Sequence, residues 1–69
     1  MKSIHFVGIG GIGLSALARY LKKEGYTISG SDMRDTKITK ALVKEGIDVC
    51  IPHCPEVIKE QDIVIYSAA

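Results

Sequence analysis

A cluster of four glycines near the amino terminus has the residue types and spacing for anion binding. Gly8, Gly10 and Gly13 match the pattern G-x-G-x-x-G, and Gly11 is the fourth glycine. In this pattern the first glycine makes a tight turn, the second lets a phosphate approach the backbone, and the third lets a helix pack closely on a strand. The open amides and the positive dipole end of a helix N-terminus bind anions. We therefore predict that a diphosphate binds this glycine turn, which consists of Gly8, Ile9, Gly10, Gly11, Ile12 and Gly13.

An acidic residue follows the glycine turn at the distance expected of a ribose-binding carboxylate. Asp32 lies nineteen positions after Gly13, just after the second predicted strand. A carboxylate at this position can accept both hydrogen bonds of a ribose diol. The alternative role for Asp32 is that of a turn aspartate, and Ser31 beside it could contact a ligand or cap the turn. Arg34 could bind a 2′-phosphate, although a lone arginine in a loop is more often solvated.

Short apolar runs alternate with helical patterns along the chain, which predicts βαβ units and a parallel sheet. Strands are predicted at about 4–7, 26–30, 48–51 and 63–66. Helices are predicted from the glycine turn to Gly25, over about 36–45, and as two turns between 55 and 61. Right-handed crossovers then predict a Rossmann-like open parallel sheet of order 3-2-1-4, truncated after the fourth strand and with helices on both faces.

Apolar spacing also predicts which sides of these elements are buried. In the first helix the apolar stripe follows the i, i+3, i+4, i+7 pattern, and in the second helix three apolar residues share one face. The fourth strand is apolar throughout, so it is predicted to be covered on both faces. The predicted inward residues of the two helices are Leu14, Leu17, Ala18 and Leu21, followed by Ile38, Ala41 and Leu42.

The carboxyl ends of the predicted strands gather further candidate residues at one rim. In an open α/β sheet the ligand lies outside these strand ends, at the point where the strand order reverses. His53 lies two residues beyond the third strand, and Ser67 and Ala68 follow the fourth. We expect them to lie near the glycine turn and Asp32, with His53 able to donate to a phosphate oxygen. The alternative for His53 is a solvated surface histidine.

The remaining reactive residues predict neither a metal site nor a catalytic nucleophile. Cys50, His53 and Cys54 fall within five positions and match no common zinc spacing. Cys50 is expected in the core of the third strand. Because the chain shows no secretory signal, both cysteines are predicted to be reduced thiols. No G-x-x-x-x-G-K-[S/T] phosphate-binding loop occurs, so this segment is not expected to bind ATP through such a loop.

Charge and hydropathy limit the classes of partner. The 69 residues carry a formal net charge of +1, which predicts binding neither to nucleic acid nor to an anionic membrane surface. No apolar run approaches the roughly 18 residues of a membrane span. We therefore expect a cytoplasmic protein.

Several blocks of the sequence resemble one enzyme family. The runs from Ile4 to Gly13 and from Ser29 to Asp32, then Pro52-His53 and Tyr66 to Ala69, resemble the first domain of the UDP-N-acetylmuramate–L-alanine ligases of the Mur ligase family. The blocks occur in the same order and at fitting distances, and the resemblance covers essentially the whole chain. The related ligase that attaches recycled tripeptide to the same nucleotide sugar begins in a similar way and stays an alternative.

The resemblance implies a parent enzyme of peptidoglycan precursor synthesis that joins L-alanine to the lactyl carboxylate of UDP-N-acetylmuramic acid. That enzyme uses ATP and Mg²⁺ and forms an acyl-phosphate intermediate. Residues 1–69 would be its incomplete N-terminal UDP-binding domain, without the central ATP-binding and C-terminal domains. This segment alone would therefore hold no cofactor and perform no catalysis. The implied contacts with the UDP moiety are Gly8, Ile9, Gly10, Gly11, Ile12, Gly13, Ser31, Asp32, His53, Ser67 and Ala68.

Two other hypotheses stay open at the level of sequence. Composition and periodicity alone favour an NAD(P)-binding module, either half of a dehydrogenase or a regulatory sensor, because the glycine fingerprint is usually of that kind. The third hypothesis is a fragment that has no ligand affinity of its own.

Overall fold

The computed structural model describes residues 2–52 and 63–66. The four described strands form one parallel sheet in the order β3-β2-β1-β4. The predicted strand order and the parallel Rossmann-like topology are thus confirmed, whereas the short helix predicted between 55 and 61 lies outside the described residues. The elements are β1 (Ser3–Val7), α1 (Ile12–Lys23), β2 (Thr27–Ser31), α2 (Lys37–Lys44), β3 (Asp48–Cys50) and β4 (Ile63–Tyr66).

Helix α1 begins directly after the glycine turn and ends before a glycine. Gly11 is its N-cap and provides no side-chain hydrogen bond. Gly25 follows the C-terminal end with a φ of +101°, a left-handed conformation that glycine adopts without steric cost. The inward stripe is centred on fully buried Ala18, and Leu17 is 39% exposed. The prediction that Leu17 faces the core is wrong, because one residue along a helix rotates the side chain by about 100° around the axis.

Helix α2 begins at a capping box. The Thr36 hydroxyl accepts from the Thr39 amide, and the Thr39 hydroxyl accepts from the Thr36 amide. Leu42 is fully buried as predicted, but its buried companion is Thr39, while Ile38 and Ala41 are only half-buried. The inward face therefore includes Thr39, whose hydroxyl is hydrogen-bonded locally and so avoids the cost of an unsatisfied buried polar group.

The two described helices lie on the same side of the sheet. Arg19 of α1 donates from Nε to Glu45 Oε1, the C-cap residue of α2, over 2.9 Å. One face of the sheet, including Ile4, Phe6 and Ile28, packs with Ala18 and Leu42 in the hydrophobic core. Helices were predicted on both faces, and the helix expected on the second face lies outside the described residues.

The second face of the sheet is more polar. His5 and Ser29 are register partners in β1 and β2, and His5 Nδ1 lies 2.9 Å from Ser29 Oγ. At the sheet edge, Ile63 is 40% exposed and Tyr66 is 68% exposed. Within the described residues, β4 is thus not covered on both faces as predicted, because Ile63 and Tyr66 point to opposite faces of the sheet and both are exposed. Among the described residues there is also no helix with the length and apolar character needed to span a bilayer.

Candidate functional site

The end of strand β2 holds the first half of the glycine turn. Gly8 adopts a φ of +90°, and the chain then bends so that the amides of Gly8 and Ile9 both donate to the Ser31 carbonyl, over 2.9 and 3.0 Å. The Gly11 amide donates to the Gly8 carbonyl over 3.0 Å. These bonds fix the path of the backbone between β1 and α1.

The side chain of Ile9 stabilises the turn by packing on β2. Its side chain is fully buried. A methyl group built at Gly30 would lie only 2.7 Å from the Cβ atom of Ile9. Because real Cβ atoms essentially never approach so closely, Gly30 provides the space in which Ile9 is buried. Gly30 had no predicted role, since only its neighbours Ser31 and Asp32 belonged to the expected site.

Asp32 binds the middle of the glycine turn through its carboxylate. Its Oδ2 atom accepts from the Gly10 amide over 2.8 Å, and its Oδ1 atom accepts from the Arg34 amide over 3.2 Å. This arrangement is the turn-aspartate role that the sequence left open. It joins the glycine turn after β1 to the loop after β2.

Three consecutive amides at the start of α1 remain open. The amides of Ile12, Gly13 and Leu14 have no hydrogen-bond acceptor among the described residues. The first turn of α1 contains no acidic residue, and the Gly11 N-cap has no side chain to fold back. Unpaired N–H groups and an uncompensated positive dipole end together form an anion site. The candidate anion-binding surface is therefore the last part of the glycine turn and the first turn of α1.

The individual glycines differ in part from their expected roles. A methyl group built at Gly13 would meet no described atom within 4 Å, so the prediction that Gly13 allows close helix–strand packing is wrong. A methyl group at Gly10 would lie 2.8 Å from Asp32 Oδ2 and 3.0 Å from Thr39 Cγ2. Close approach thus occurs at Gly10, toward the protein's own side chains. Gly13 instead leaves open space beside the free amides.

The other candidate residues divide into described and undescribed ones. Ser31 is 1% exposed, and its carbonyl oxygen is the acceptor that bends the glycine turn. His53, Ser67 and Ala68 lie outside the described residues, so their predicted place at the rim stays a prediction. The described residues contain no group of three or more side chains suited to a metal ion.

The oxidation state of Cys50 differs from the one predicted from the sequence. It is disulfide-bonded, so the expectation that it is a reduced thiol is wrong, and the rest of that bond lies outside the described residues. The expectation rested on the missing secretory signal, which indicates the compartment and not the state of an individual cysteine. Cys50 is half-buried in β3, and its carbonyl accepts from the Asp32 amide over 3.2 Å.

Comparison with known proteins shows that this chain is similar to members of one enzyme family. Residues 3–69 match the family model described as the Mur ligase family, catalytic domain. The UDP-N-acetylmuramate–L-alanine ligase of Campylobacter jejuni serotype O:23/36 is 62% identical over 69 residues, which are 100% of this chain and 16% of that protein. The ligase of the same name from Acetivibrio thermocellus is 50% identical over 68 residues, which are 99% of this chain and 14% of that protein.

A solved structure shows the same fold. The crystal structure of the UDP-N-acetylmuramate-alanine ligase from Thermotoga maritima matches with a TM-score of 0.94 at 40% identity, over 100% of this chain and 16% of that chain. The chain therefore spans about one sixth of the length of such relatives.

Proposed function

This chain belongs to the Mur ligase family, and from that membership we propose that it binds the UDP part of UDP-N-acetylmuramic acid for an ATP-dependent ligase that adds L-alanine. The observation that carries the proposal is the row of open amides at Ile12, Gly13 and Leu14. A diphosphate is the part of this substrate that such a helix N-terminus binds. The relatives are UDP-N-acetylmuramate–L-alanine ligases, which supports the choice of substrate.

In this proposal the segment contributes binding energy rather than chemistry. The diphosphate lies away from the lactyl carboxylate that reacts, so its contacts hold and orient the substrate. Ser31, Asp32, His53, Ser67 and Ala68 would complete the pocket with the glycine turn. ATP and Mg²⁺ would bind in the central domain, L-alanine would be held with the help of the C-terminal domain, and the enzyme would work in the cytoplasm during peptidoglycan precursor synthesis.

One feature of the described site favours a UDP-sugar over NAD. In a dinucleotide site the carboxylate after the second strand accepts from the ribose hydroxyls. Here the two oxygens of Asp32 already accept from the amides of Gly10 and Arg34. Asp32 therefore binds the protein backbone. Its position after the second strand gives correspondingly less support for a contact with an NAD ribose.

A titration followed by NMR of the backbone amides tests the proposal. We expect UDP-N-acetylmuramic acid to shift the amide signals of Ile12, Gly13 and Leu14, with NAD at the same concentration as the matched control. N-acetylmuramic acid without the nucleotide should leave these signals in place, because it brings no diphosphate. Shifts caused by NAD alone would refute the UDP-sugar assignment.

A second measurement separates the alanine-adding ligase from the tripeptide-adding one. The full-length enzyme should release phosphate from ATP when supplied with UDP-N-acetylmuramic acid and L-alanine. Phosphate release that requires the recycled tripeptide in place of L-alanine would assign the chain to the other ligase.

A further inference from the structure

We propose that Thr39, which lies on α2 outside the glycine motif, is a positioning residue for the diphosphate-binding amides. The inference rests on the proposed function, because it explains how the glycine turn keeps the shape that receives the diphosphate. Thr39 is fully buried. Its methyl group and its hydroxyl group act on two different parts of the rim.

The methyl group of Thr39 limits the position of Gly10. A methyl group built at Gly10 would lie 3.0 Å from Thr39 Cγ2, so the Gly10 backbone rests directly against this side chain. On the same side, Asp32 Oδ2 accepts from the Gly10 amide over 2.8 Å. Gly10 is thus confined by one apolar contact and one hydrogen bond. It immediately precedes Gly11, the N-cap after which the open amides begin.

The hydroxyl group of Thr39 fixes the side chain that provides this contact. Thr39 Oγ1 accepts from the Thr36 amide over 2.7 Å, and it lies 3.0 Å from Asp35 Oδ1 and 2.9 Å from the Thr36 carbonyl, to one of which it donates. The side chain therefore cannot rotate without losing hydrogen bonds inside a buried site.

These contacts close a ring around the rim of the site. Thr39 contacts Gly10, Gly10 donates to Asp32, and Asp32 accepts from Arg34 in the loop that leads to Asp35. The contact between Asp35 Oδ1 and the Thr39 hydroxyl completes the ring. A closed ring restrains each member more strongly than an open chain of the same contacts. Thr39 therefore helps to hold the turn that precedes α1.

Two variants of the full-length ligase separate the methyl contact from helix capping. Thr39→Ser keeps the hydroxyl and its hydrogen bonds but removes the methyl group that touches Gly10. Thr36→Ala removes the N-cap hydroxyl of the same helix and leaves the Thr39 methyl in place. We expect Thr39→Ser to raise the Kd for UDP-N-acetylmuramic acid about three- to tenfold. Thr36→Ala should lower the Tm and leave that Kd within about twofold of wild type.

The amide of Gly10 provides a readout that does not depend on activity. In Thr39→Ser its hydrogen exchange should be faster than in wild type, and in Thr36→Ala it should be unchanged relative to other amides of the turn. A Kd for Thr39→Ser within twofold of wild type would overturn the proposal. So would an equal loss of affinity in Thr36→Ala, because affinity would then follow helix stability alone.

The wild-type measurement distinguishes this proposal from the function on which it rests. If wild-type ligase does not bind UDP-N-acetylmuramic acid, the proposed function is wrong and the role of Thr39 falls with it. If wild type binds and Thr39→Ser binds equally well, only the role of Thr39 is wrong.

Discussion

At the scale of single residues, the glycine turn contains two sets of amides with different tasks. The first four, from Gly8 to Gly11, are all used inside the protein, by Ser31, Asp32 and Gly8. The amides that follow, from Ile12 to Leu14, have no acceptor among the described residues. The first set shapes the turn, and the second set is the proposed anion site.

A matched pair of glycine substitutions tests this division. Gly13→Ala should fold with an unchanged or slightly higher Tm, because the added methyl meets no described atom and alanine favours helix. The same methyl projects toward the helix N-terminus, where the diphosphate would lie, so UDP-sugar affinity should fall about tenfold.

Gly30→Ala is the counterpart, because it should lower the folding stability that Gly13→Ala leaves unchanged or slightly raises. Its methyl would collide with Ile9, and overpacking of this kind typically costs about 1–3 kcal/mol of folding stability. Thermal unfolding and isothermal titration of both variants measure the two effects. Equal affinity of Gly13→Ala and wild type would remove this face of the helix from the site.

Asp32 provides a second test at this scale. Asp32→Ala leaves the Gly10 amide without its acceptor, which should cost roughly 1–3 kcal/mol of stability and weaken UDP-sugar binding. Asp48→Ala, at an exposed carboxylate in β3, is the control for loss of one negative charge. Binding by Asp32→Ala that is as tight as wild type would exclude Asp32 from the site.

At the scale of elements, caps and one ion pair set the positions of the helices. Gly25 and Gly46 end the two helices in left-handed conformations, with φ values of +101° and +91°. The exposed pair Arg19–Glu45 then links α1 to the end of α2. Its hydrogen bond and opposite charge lower the pKa of Glu45 from the ordinary value of 4.5 and raise the pKa of Arg19 above its ordinary value.

The sign of that shift predicts a pH dependence. Because the folded-state pKa of Glu45 is lowered, the pair stabilises the fold at pH values above about 4.5, and the contribution is lost as the pH falls through the folded-state pKa. Glu45→Gln should therefore lower the Tm slightly at neutral pH, and the difference from wild type should shrink as the pH falls through the folded-state pKa. Added salt should reduce the difference at neutral pH, because the pair is exposed and screened. A difference in Tm that does not shrink with falling pH would point to packing instead of charge.

At the scale of the whole molecule, the described residues supply only part of the proposed binding site. The described site consists of the glycine turn, the loop after β2 and the start of α2, all on one rim of the sheet. The candidate residues His53, Ser67 and Ala68 follow the other two strands and lie outside the described residues. The relatives are about six times longer than this chain.

The 69-residue chain alone should therefore bind weakly. We expect its Kd for UDP-N-acetylmuramic acid to lie well above about 1 μM, which corresponds to roughly −8 kcal/mol. The full-length ligase should bind more tightly, because further domains can close over the sugar and exclude water. Isothermal titration of both proteins measures the difference. Sub-micromolar binding by the short chain would show that the rim is complete without them.

The sequence by itself determined the order of the elements and the topology of the sheet. Alternating apolar runs, a helical stripe, and glycines at positions 25 and 46 predicted strands and helices close to those observed. Right-handed crossovers then led to the sheet order 3-2-1-4. These features depend on local spacing and on general rules of chain connection, so one sequence is sufficient to read them.

Only the tertiary structure decided which amides stay open and which residues hold the turn. The acceptors for Gly8, Ile9 and Gly10 come from Ser31 and Asp32, which are brought there by the pairing of β1 with β2. Thr39 reaches Gly10 from a third element. Contacts between residues more than twenty positions apart depend on strand register and helix rotation, and hydrophobic periodicity does not report either one finely enough.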